Sequence, residues 1–343
     1  MIETDYFEAR EKFESAADAA GLRTMRMRVA AENQADLFID FAFQKRDPDR
    51  LLVQLSGVHG IEGYCGSAIQ RQVLSAIPEG GPSLLFVHAV NPYGMANYRR
   101  ANGSNVDLNR SFNLKPVKND DYHFFDSYLN PNSRFQFYTG KLAAAFARLR
   151  IGELRTRQAV ASGQMDFPHG IFFTGKEIQR EVQHLQQILL SHFPAVKNVL
   201  CLDIHTGLGD WKGEMLFVDH DRETDSPEFF EKIFGRKMNV PDPEKGSYSI
   251  HGRLSDAIRA ALPEAKLRYC LQEFGTLKAS AVLNALREEN YEWRLRPAGT
   301  LPSPAVKQAM LDSFLPDSED WRAHCVGLGI ARWKQSFASL LRA

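Results

Sequence analysis

The sequence predicts one α/β domain in which helices flank a mixed, largely parallel central sheet. Two observations support this fold class. Short apolar runs at 51–55, 83–90, 199–204 and 267–271 alternate with helical patterns, which is typical of strands linked by crossover helices. Each run then ends abruptly in polar residues, as expected at the carboxyl edge of an open α/β sheet, where ligands bind. The fold class therefore also indicates where a site lies.

The order of the elements follows from apolar spacing and from the glycines and prolines that close each run. In the first half these are a helix over 3–20, edge strands over 25–29 and 37–43, a strand over 51–55, a helix over 62–77 and a strand over 83–90. In the second half they are helices over 138–160 and up to 192, strands over 199–204 and 215–218, helices over 226–239 and 251–262, a strand over 267–271, and helices over 277–289 and after Pro302 and Pro316. A capping box of Thr174 and Glu177 predicts the start of the helix that ends near 192.

The whole chain, 1–343, is predicted to form a single domain, because no repeat, low-complexity tract or linker interrupts it. Its least regular part is an insertion at about 114–195, where scattered polar and aromatic residues precede an Ala, Leu and Arg-rich helix. Such insertions form rims over sites or plain surface excursions. We expect this one to rim the active site.

Composition narrows the class of partner. Hydrophobic residues make up 44% and charged residues 24% of the chain, which is ordinary for a globular protein. Lys plus Arg equals Asp plus Glu at 42 each, so no net charge favours nucleic acid or an anionic membrane. The sequence therefore predicts a small-molecule or peptide substrate, and it does not indicate an oligomeric state.

Cysteine usage and the N-terminus indicate the compartment. The four cysteines, Cys65, Cys201, Cys270 and Cys325, include no C-x-x-C pair, which argues against both a disulfide framework and a thiolate zinc site. The first 21 residues are acidic and amphipathic rather than a secretory signal, and no apolar run reaches membrane-spanning length. The sequence thus predicts a cytoplasmic protein without a membrane partner.

Three polar residues at the strand ends match the ligands of a catalytic zinc ion. His59 and Glu62 follow one apolar run at a spacing of three, and His205 ends another. Two histidines and one carboxylate with an open fourth position are typical of catalytic zinc. Taken alone, H-x-x-E is more often a turn into a helix than a ligand pair, and a buried histidine is more often a hydrogen-bonding residue than a metal ligand. The conjunction of the three favours the metal site.

Other strand-end residues supply the remaining parts of a hydrolytic site. Asp107 and Asp203 are candidates to accept the second N–H of a metal-bound histidine, or are turn residues. Glu273 is a candidate general acid/base, or a cap for the helix predicted at 277. Arginine side chains near a strand end can bind a substrate carboxylate and stabilise the charge that develops on a carbonyl oxygen. Arg100 and the pair Asn109 and Arg110 are the candidates for these roles.

Together these motifs resemble those of the zinc carboxypeptidases, the carboxypeptidase A-like metallopeptidases, in a branch of uncharacterised bacterial members. The resemblance rests on HGIE at 59–62, NPYG at 91–94 followed by RRANGSNVDLNRSF, DIHTG at 203–207 and QEFG at 272–275. The order and spacing of these motifs match the family. The resemblance implies a zinc carboxypeptidase-like fold of the phosphorylase/hydrolase-like type.

The resemblance also implies a role for each motif residue. His59, Glu62 and His205 would bind one Zn²⁺ per chain, Asp107 would orient His59, Arg100 would stabilise the oxyanion, Asn109 and Arg110 would bind the substrate's carboxylate, and Glu273 would be the general acid/base. Arg99 stays an alternative to Arg100. Digestive members have a mobile substrate-binding tyrosine, for which Tyr248 is the nearest candidate.

The sequence therefore predicts a zinc-dependent hydrolase that cleaves a peptide or amide bond next to a carboxylate-bearing residue. A small peptide or an N-acyl amino acid with a free carboxylate is the expected substrate. One alternative is a deacylase like aspartoacylase or succinylglutamate desuccinylase, which share the H-x-x-E and D-L-N-R arrangement. The other is a non-catalytic protein that retains metal, against which Glu273 and Arg100 argue, because turnover needs them and metal binding does not.

Overall fold

The fold is a seven-stranded mixed sheet with helices on both faces, seen in a computed structural model that describes residues 2–29, 36–112, 119–218, 226–240, 252–297 and 299–341. Within these ranges the strands are β1 Arg23–Val29, β2 Leu37–Gln44, β3 Arg50–Ser56, β4 Ser83–His88, β5 Asn198–Thr206, β6 Glu214–Val218 and β7 Lys266–Phe274. The helices are α1 Tyr6–Ala19, α2 Gly63–Leu74, α3 Pro92–Ala96, α4 His123–Leu129, α5 Arg134–Ile151, α6 Glu153–Ala161, α7 Arg180–His192, α8 Ser226–Phe234, α9 Leu254–Ala261, α10 Ala279–Leu295, α11 Pro304–Phe314 and α12 Glu319–Leu341.

The strand order across the sheet is β1-β2-β4-β3-β5-β7-β6. The four central strands, β4, β3, β5 and β7, run parallel to one another, whereas β2 and β6 pair antiparallel with their neighbours. The carboxyl ends of β3, β5 and β7 therefore meet at one edge of the sheet. This confirms the predicted fold class.

The inner strands are apolar on both faces because helices cover both. Leu52, Leu84 and Leu200 point into a core that α1, α2 and α12 complete. Leu51, Leu85 and Val199, one residue away on each strand, point into a second core that α7 and α9 cover. Successive side chains of a strand point to opposite faces of the sheet, so a continuous apolar run places apolar side chains in both cores.

Most element predictions are confirmed. Helix α8 ends at Phe234, short of the predicted 239, and three further predictions differ. The helix predicted over 138–160 is two helices, because Gly152, at a φ of +84°, breaks it between α5 and α6. The helix predicted to start at the Thr174 capping box begins at Arg180, and the Thr174 hydroxyl bonds to the carbonyl of Gln164 instead of capping it. Strand β7 extends to Phe274, so Glu273 lies within the strand. All four cysteines are buried.

Among the described residues, no helix combines the length and the apolar character that crossing a bilayer requires.

Candidate metal centre

The carboxyl edge of the sheet brings the predicted ligands together from separate parts of the chain. His59 follows β3, Glu62 lies in the 3-10 turn Gly60–Glu62 directly after it, and His205 is the penultimate residue of β5. All three residues are buried, with 3% exposure or less. Strand β7 places Glu273 directly opposite His205 in the register of the sheet.

The turn after β3 depends on a close approach that only glycine permits. Gly60 packs against the backbone of Gly94 and Met95, where a Cβ atom would lie 2.1 Å from the Gly94 carbonyl carbon. In this position the amides of Gly60 and Ile61 donate to the carbonyls of Arg100 and Arg99 at 3.2 and 2.8 Å. Backbone hydrogen bonds thus hold the Arg100 segment beside His59 and Glu62.

The ligand atoms converge on one point. The Nδ1 atoms of His59 and His205 lie 3.0 Å apart. The Glu62 carboxylate lies 2.9 Å from both, through Oε1 to His59 and through Oε2 to His205. Two ring nitrogens facing each other at this distance need a proton or a cation between them, because two lone pairs repel. The three residues form a group that could hold a metal ion, with ligand atoms all within 4.8 Å of one another.

Each histidine is backed by a carboxylate on its far side. His59 Nε2 lies 3.2 Å from Asp107 Oδ1, and His205 Nε2 lies 2.7 Å from Asp203 Oδ2. For His205, a carboxylate that accepts from Nε2–H leaves the lone pair on Nδ1, which is the atom that faces the centre. The donor set, two imidazoles and one carboxylate oriented by two further carboxylates, fits zinc.

The electrostatics of the group favour a cation at its centre. Burial lowers the pKa of His205, but the charges of Asp203 and Glu62 outweigh burial and hold that pKa well above its ordinary value. Burial acts to raise the pKa of Glu62, and the two histidines reverse this and hold it far below its usual range. A metal ion at this point would displace the proton from His205.

Arg100 lies directly on this group, and Arg99 points away from it. The Arg100 guanidinium contacts Glu62 Oε1 and Asp107 Oδ2 at 3.1 Å each, and its Nη2 lies 2.6 Å from His59 Nε2. Arg99 is fully buried instead, where it forms an ion pair with Glu289 and stacks on the Trp293 ring. Of the two predicted candidates, Arg100 is the one with access to the centre.

Glu273 faces the group from β7 and is held by one backbone amide. Its Oε1 accepts from the Leu208 amide at 3.0 Å, and the side chain is buried. Burial, reinforced by the negative charge of Glu62, raises the pKa of Glu273 to about 8. The alternative role as a helix cap has no support, since the N-cap of α10 is Lys278.

Comparison with known proteins identifies the family. Residues 3–327 match the sequence profile of DUF2817, which is described as a protein of unknown function. The chain belongs to the DUF2817 family. A search of the curated proteins finds no match to this DUF2817 chain.

Solved structures resemble the DUF2817 chain in fold. A candidate carboxypeptidase from Burkholderia mallei ATCC 23344 is 12% identical, has a TM-score of 0.50, and matches over 97% of this chain and 67% of that one. The murein-tripeptide amidase MpaA from Escherichia coli O157 is 18% identical with a TM-score of 0.42, over 78% of this chain and 91% of that one. Bovine thrombin-activatable fibrinolysis inhibitor is 11% identical with a TM-score of 0.45, over 100% and 98%. The carboxypeptidase-like fold that the resemblance predicts is confirmed.

The DUF2817 chain places the two predicted carboxylate-binding residues beside Asp107. Arg110 donates to Asp107 Oδ2 at 2.6 Å, and its Nε and Nη2 donate to the carbonyl of Ala161 at 3.1 and 2.8 Å. Asn109 is buried, and its side-chain oxygen accepts from the Leu254 amide at 3.4 Å. Their binding of substrate stays a prediction, and Tyr248 lies outside the described residues.

Two residues near the centre were not predicted. The Tyr269 hydroxyl donates to Asp203, so Tyr269 supports the carboxylate behind His205 rather than the substrate. Phe172 has a φ of +59° and lies under the guanidinium groups of Arg100 and Arg110, 5.6 and 4.9 Å from its ring centre. Side chains alternate between the two faces of a strand, so Tyr269, four residues before Glu273, lies on the same face of β7 and could have been predicted to be near the site. No sequence pattern predicts that Phe172 lies there.

Proposed function

We propose that this chain is a zinc-dependent hydrolase that cleaves a peptide or amide bond next to a carboxylate-bearing residue of a small substrate. The observation that carries the proposal is the convergence of two Nδ1 atoms and the Glu62 carboxylate, with a carboxylate behind each imidazole. Three protein ligands that leave one position open are typical of catalytic zinc. The carboxypeptidase-like fold supports the proposal at the level of architecture.

In the proposed mechanism Glu273 is the general base and then the general acid. Zinc held by His59, Glu62 and His205 would supply Lewis-acid polarisation of a carbonyl group and would lower the pKa of a nearby water. Glu273 takes the proton of the attacking water and later returns it to the leaving amine. A carboxyl group whose pKa lies near neutral pH, as burial and Glu62 make it here, suits both transfers.

Arg100 stabilises the charge that develops on the scissile carbonyl oxygen. Its guanidinium now contacts the carboxylates of Glu62 and Asp107. The Arg100 N–H groups would turn from these carboxylates to the substrate oxygen, in a partly buried position where such hydrogen bonds are strong.

We propose that Arg110 and Asn109 bind the substrate's carboxylate and that the insertion forms the rim around it. The Ala161 carbonyl at the end of α6 accepts two hydrogen bonds from Arg110. A carboxylate is a stronger, bidentate partner for a guanidinium than a neutral carbonyl. Substrate binding would exchange one partner for the other, while Phe172 keeps the guanidinium plane in place.

Replacement of Glu273 by glutamine tests the proposal. Glu273→Gln keeps the shape of the side chain and removes the proton acceptor, so we expect hydrolysis to fall about a hundredfold or more while zinc stays bound. The control is Glu264→Gln, the same change at an exposed position just before β7 begins. Near-normal turnover by Glu273→Gln contradicts the mechanism.

A substrate panel separates peptidase from deacylase activity. Short peptides and N-acyl amino acids, each with a free or an amidated carboxyl terminus, are compared by kcat/KM. We expect the free carboxylate to be preferred in whichever class is cleaved, because Arg110 provides the matching cation. Equal rates for free and amidated substrates would rule out the carboxylate site.

A further inference from the structure

Helix α5 exposes an unbroken row of large apolar side chains on the face that points away from the protein. The row comprises Phe135, Tyr138, Leu142, Phe146 and Leu149, which are 78%, 68%, 67%, 72% and 83% exposed. Spacings of three and four residues align them on one face of the helix. The opposite face is buried through Phe137, Gly140 and Ala147. We call this row the α5 stripe.

The α5 stripe is not needed for folding, because none of its members is buried. Single exposed apolar residues are common, whereas a contiguous row this large marks a surface that binds something. Five such side chains expose on the order of 800 Å² of mostly apolar surface, which exceeds the largest patch on most monomers. The stripe is also separate from the metal centre, since α5 contributes none of the residues described there.

Basic residues border the stripe. Arg134, Lys141 and Arg148 recur every seven residues and so form one line along the helix, and Arg150 lies on the other side of the stripe. Helix α5 contains no acidic residue. Arg134 and Arg148 form ion pairs with Glu288 and Glu153, but all four side chains are at least partly exposed, and such pairs contribute little.

Helix α6 also exposes an apolar side chain bordered by basic ones. Leu154 is 49% exposed, and Arg155 and Arg157 are exposed beside it. Within residues 134–157, Glu153 is the only acidic residue, against six basic ones. The balanced charge of the whole chain, from which the sequence predicts no membrane partner, conceals this local excess.

We propose that α5 docks on the surface of an anionic lipid bilayer. The stripe would enter the boundary between headgroups and acyl chains, with the helix in the membrane plane, and the bordering arginines and lysine would contact the lipid phosphates. A second copy of the chain fits less well. An antiparallel pair of α5 helices aligns the two basic lines on the same side, and a parallel pair offers no acidic residue to either line.

Vesicle binding by the full chain tests the proposal. We expect the chain to sediment with vesicles of equal parts phosphatidylcholine and phosphatidylglycerol, to bind phosphatidylcholine alone much more weakly, and to dissociate as salt is raised. Lys141→Ala and Arg150→Ala should each weaken binding about fivefold. The double variant Phe146→Ser with Leu149→Ser should weaken it about tenfold or more.

The matched control is Leu190→Ser, which removes a 54% exposed leucine from α7 outside the stripe and should leave vesicle binding unchanged. All substituted residues are exposed, so the variants should keep the melting temperature of the wild type. Absence of binding to anionic vesicles overturns the proposal. So does a concentration-dependent dimer in sedimentation equilibrium that the double variant abolishes, since a second copy would then cover the stripe. Neither result bears on hydrolysis at the metal centre.

Discussion

Asp203 sets the orientation of His205, although it is two residues away from it and touches no substrate. Its carboxylate accepts from His205 Nε2 and from the Tyr269 hydroxyl. Asp203→Asn should weaken zinc binding about 10- to 100-fold, because the amide no longer fixes the tautomer that presents Nδ1. Competition with a chelator measures the affinity. Asp18→Asn, the same change on the exposed face of α1, serves as the control, and an unchanged affinity in Asp203→Asn would contradict this role.

Among single residues, the sequence predicts those whose role follows from their position at a strand end. It misses those that act through another side chain. His59, His205 and Glu273 stand out because polar residues interrupt apolar runs. Phe172 does not, because its position depends on how the chain after α6 folds back over Arg110. The contacts of Arg110 also depend on how this part of the chain folds. Its two hydrogen bonds to the Ala161 carbonyl are therefore visible only in the structure.

The turn Gly60–Glu62 connects β3 to α2 and positions Glu62 beside His59 in the metal centre. A side chain at position 60 would meet the Gly94 backbone at 2.1 Å, and backbone cannot move aside as a flexible side chain can. Gly60→Ala should therefore lower the free energy of unfolding by about 3 kcal/mol or more and weaken zinc binding with it. Urea unfolding and zinc titration measure the two effects.

The matched control is Gly327→Ala in α12, where an added Cβ meets nothing within 4 Å. Alanine in an open helical position should raise stability by about 0.5 to 1 kcal/mol. If both alanine variants are equally stable, the close approach of Gly60 to Gly94 does not constrain the site.

The predicted boundaries of the elements are correct where one local sequence signal dominates. They are wrong where tertiary contacts override that signal. The inner strands follow from their apolar runs. Thr174, by contrast, satisfies the pattern of a capping box, yet its hydroxyl bonds to the Gln164 carbonyl, ten residues earlier in the chain. β7 continues to Phe274 because its partner β5 continues to Thr206, a pairing that no local pattern shows.

For the whole molecule, buried His88 links stability to pH. Burial, with the charges of Arg10 and Arg71, lowers the pKa of His88 to about 3, from 6.5 in the unfolded chain. The unfolded state therefore binds the proton more readily, and stability is lost as the pH falls below 6.5 and further toward 3. Between pH 7 and pH 5 this group alone should cost about 2 kcal/mol.

The variant His88→Gln isolates that contribution, because glutamine retains a hydrogen-bonding group for Ser67 and does not titrate. Urea unfolding at the two pH values should show a smaller loss of stability in the variant than in the wild type. Equal losses in both proteins would contradict the assignment.

The central claim concerns a single ion held where three strands of one sheet end. X-ray absorption at the zinc edge, on protein whose metal content has been measured, tests it most directly. We predict one zinc per chain, bound by two imidazole nitrogens and carboxylate oxygen, which His205→Ala loses and which His324→Ala, an exposed histidine of α12, retains. A chain that takes up no zinc, or one whose zinc spectrum is the same after His205→Ala, would contradict the account.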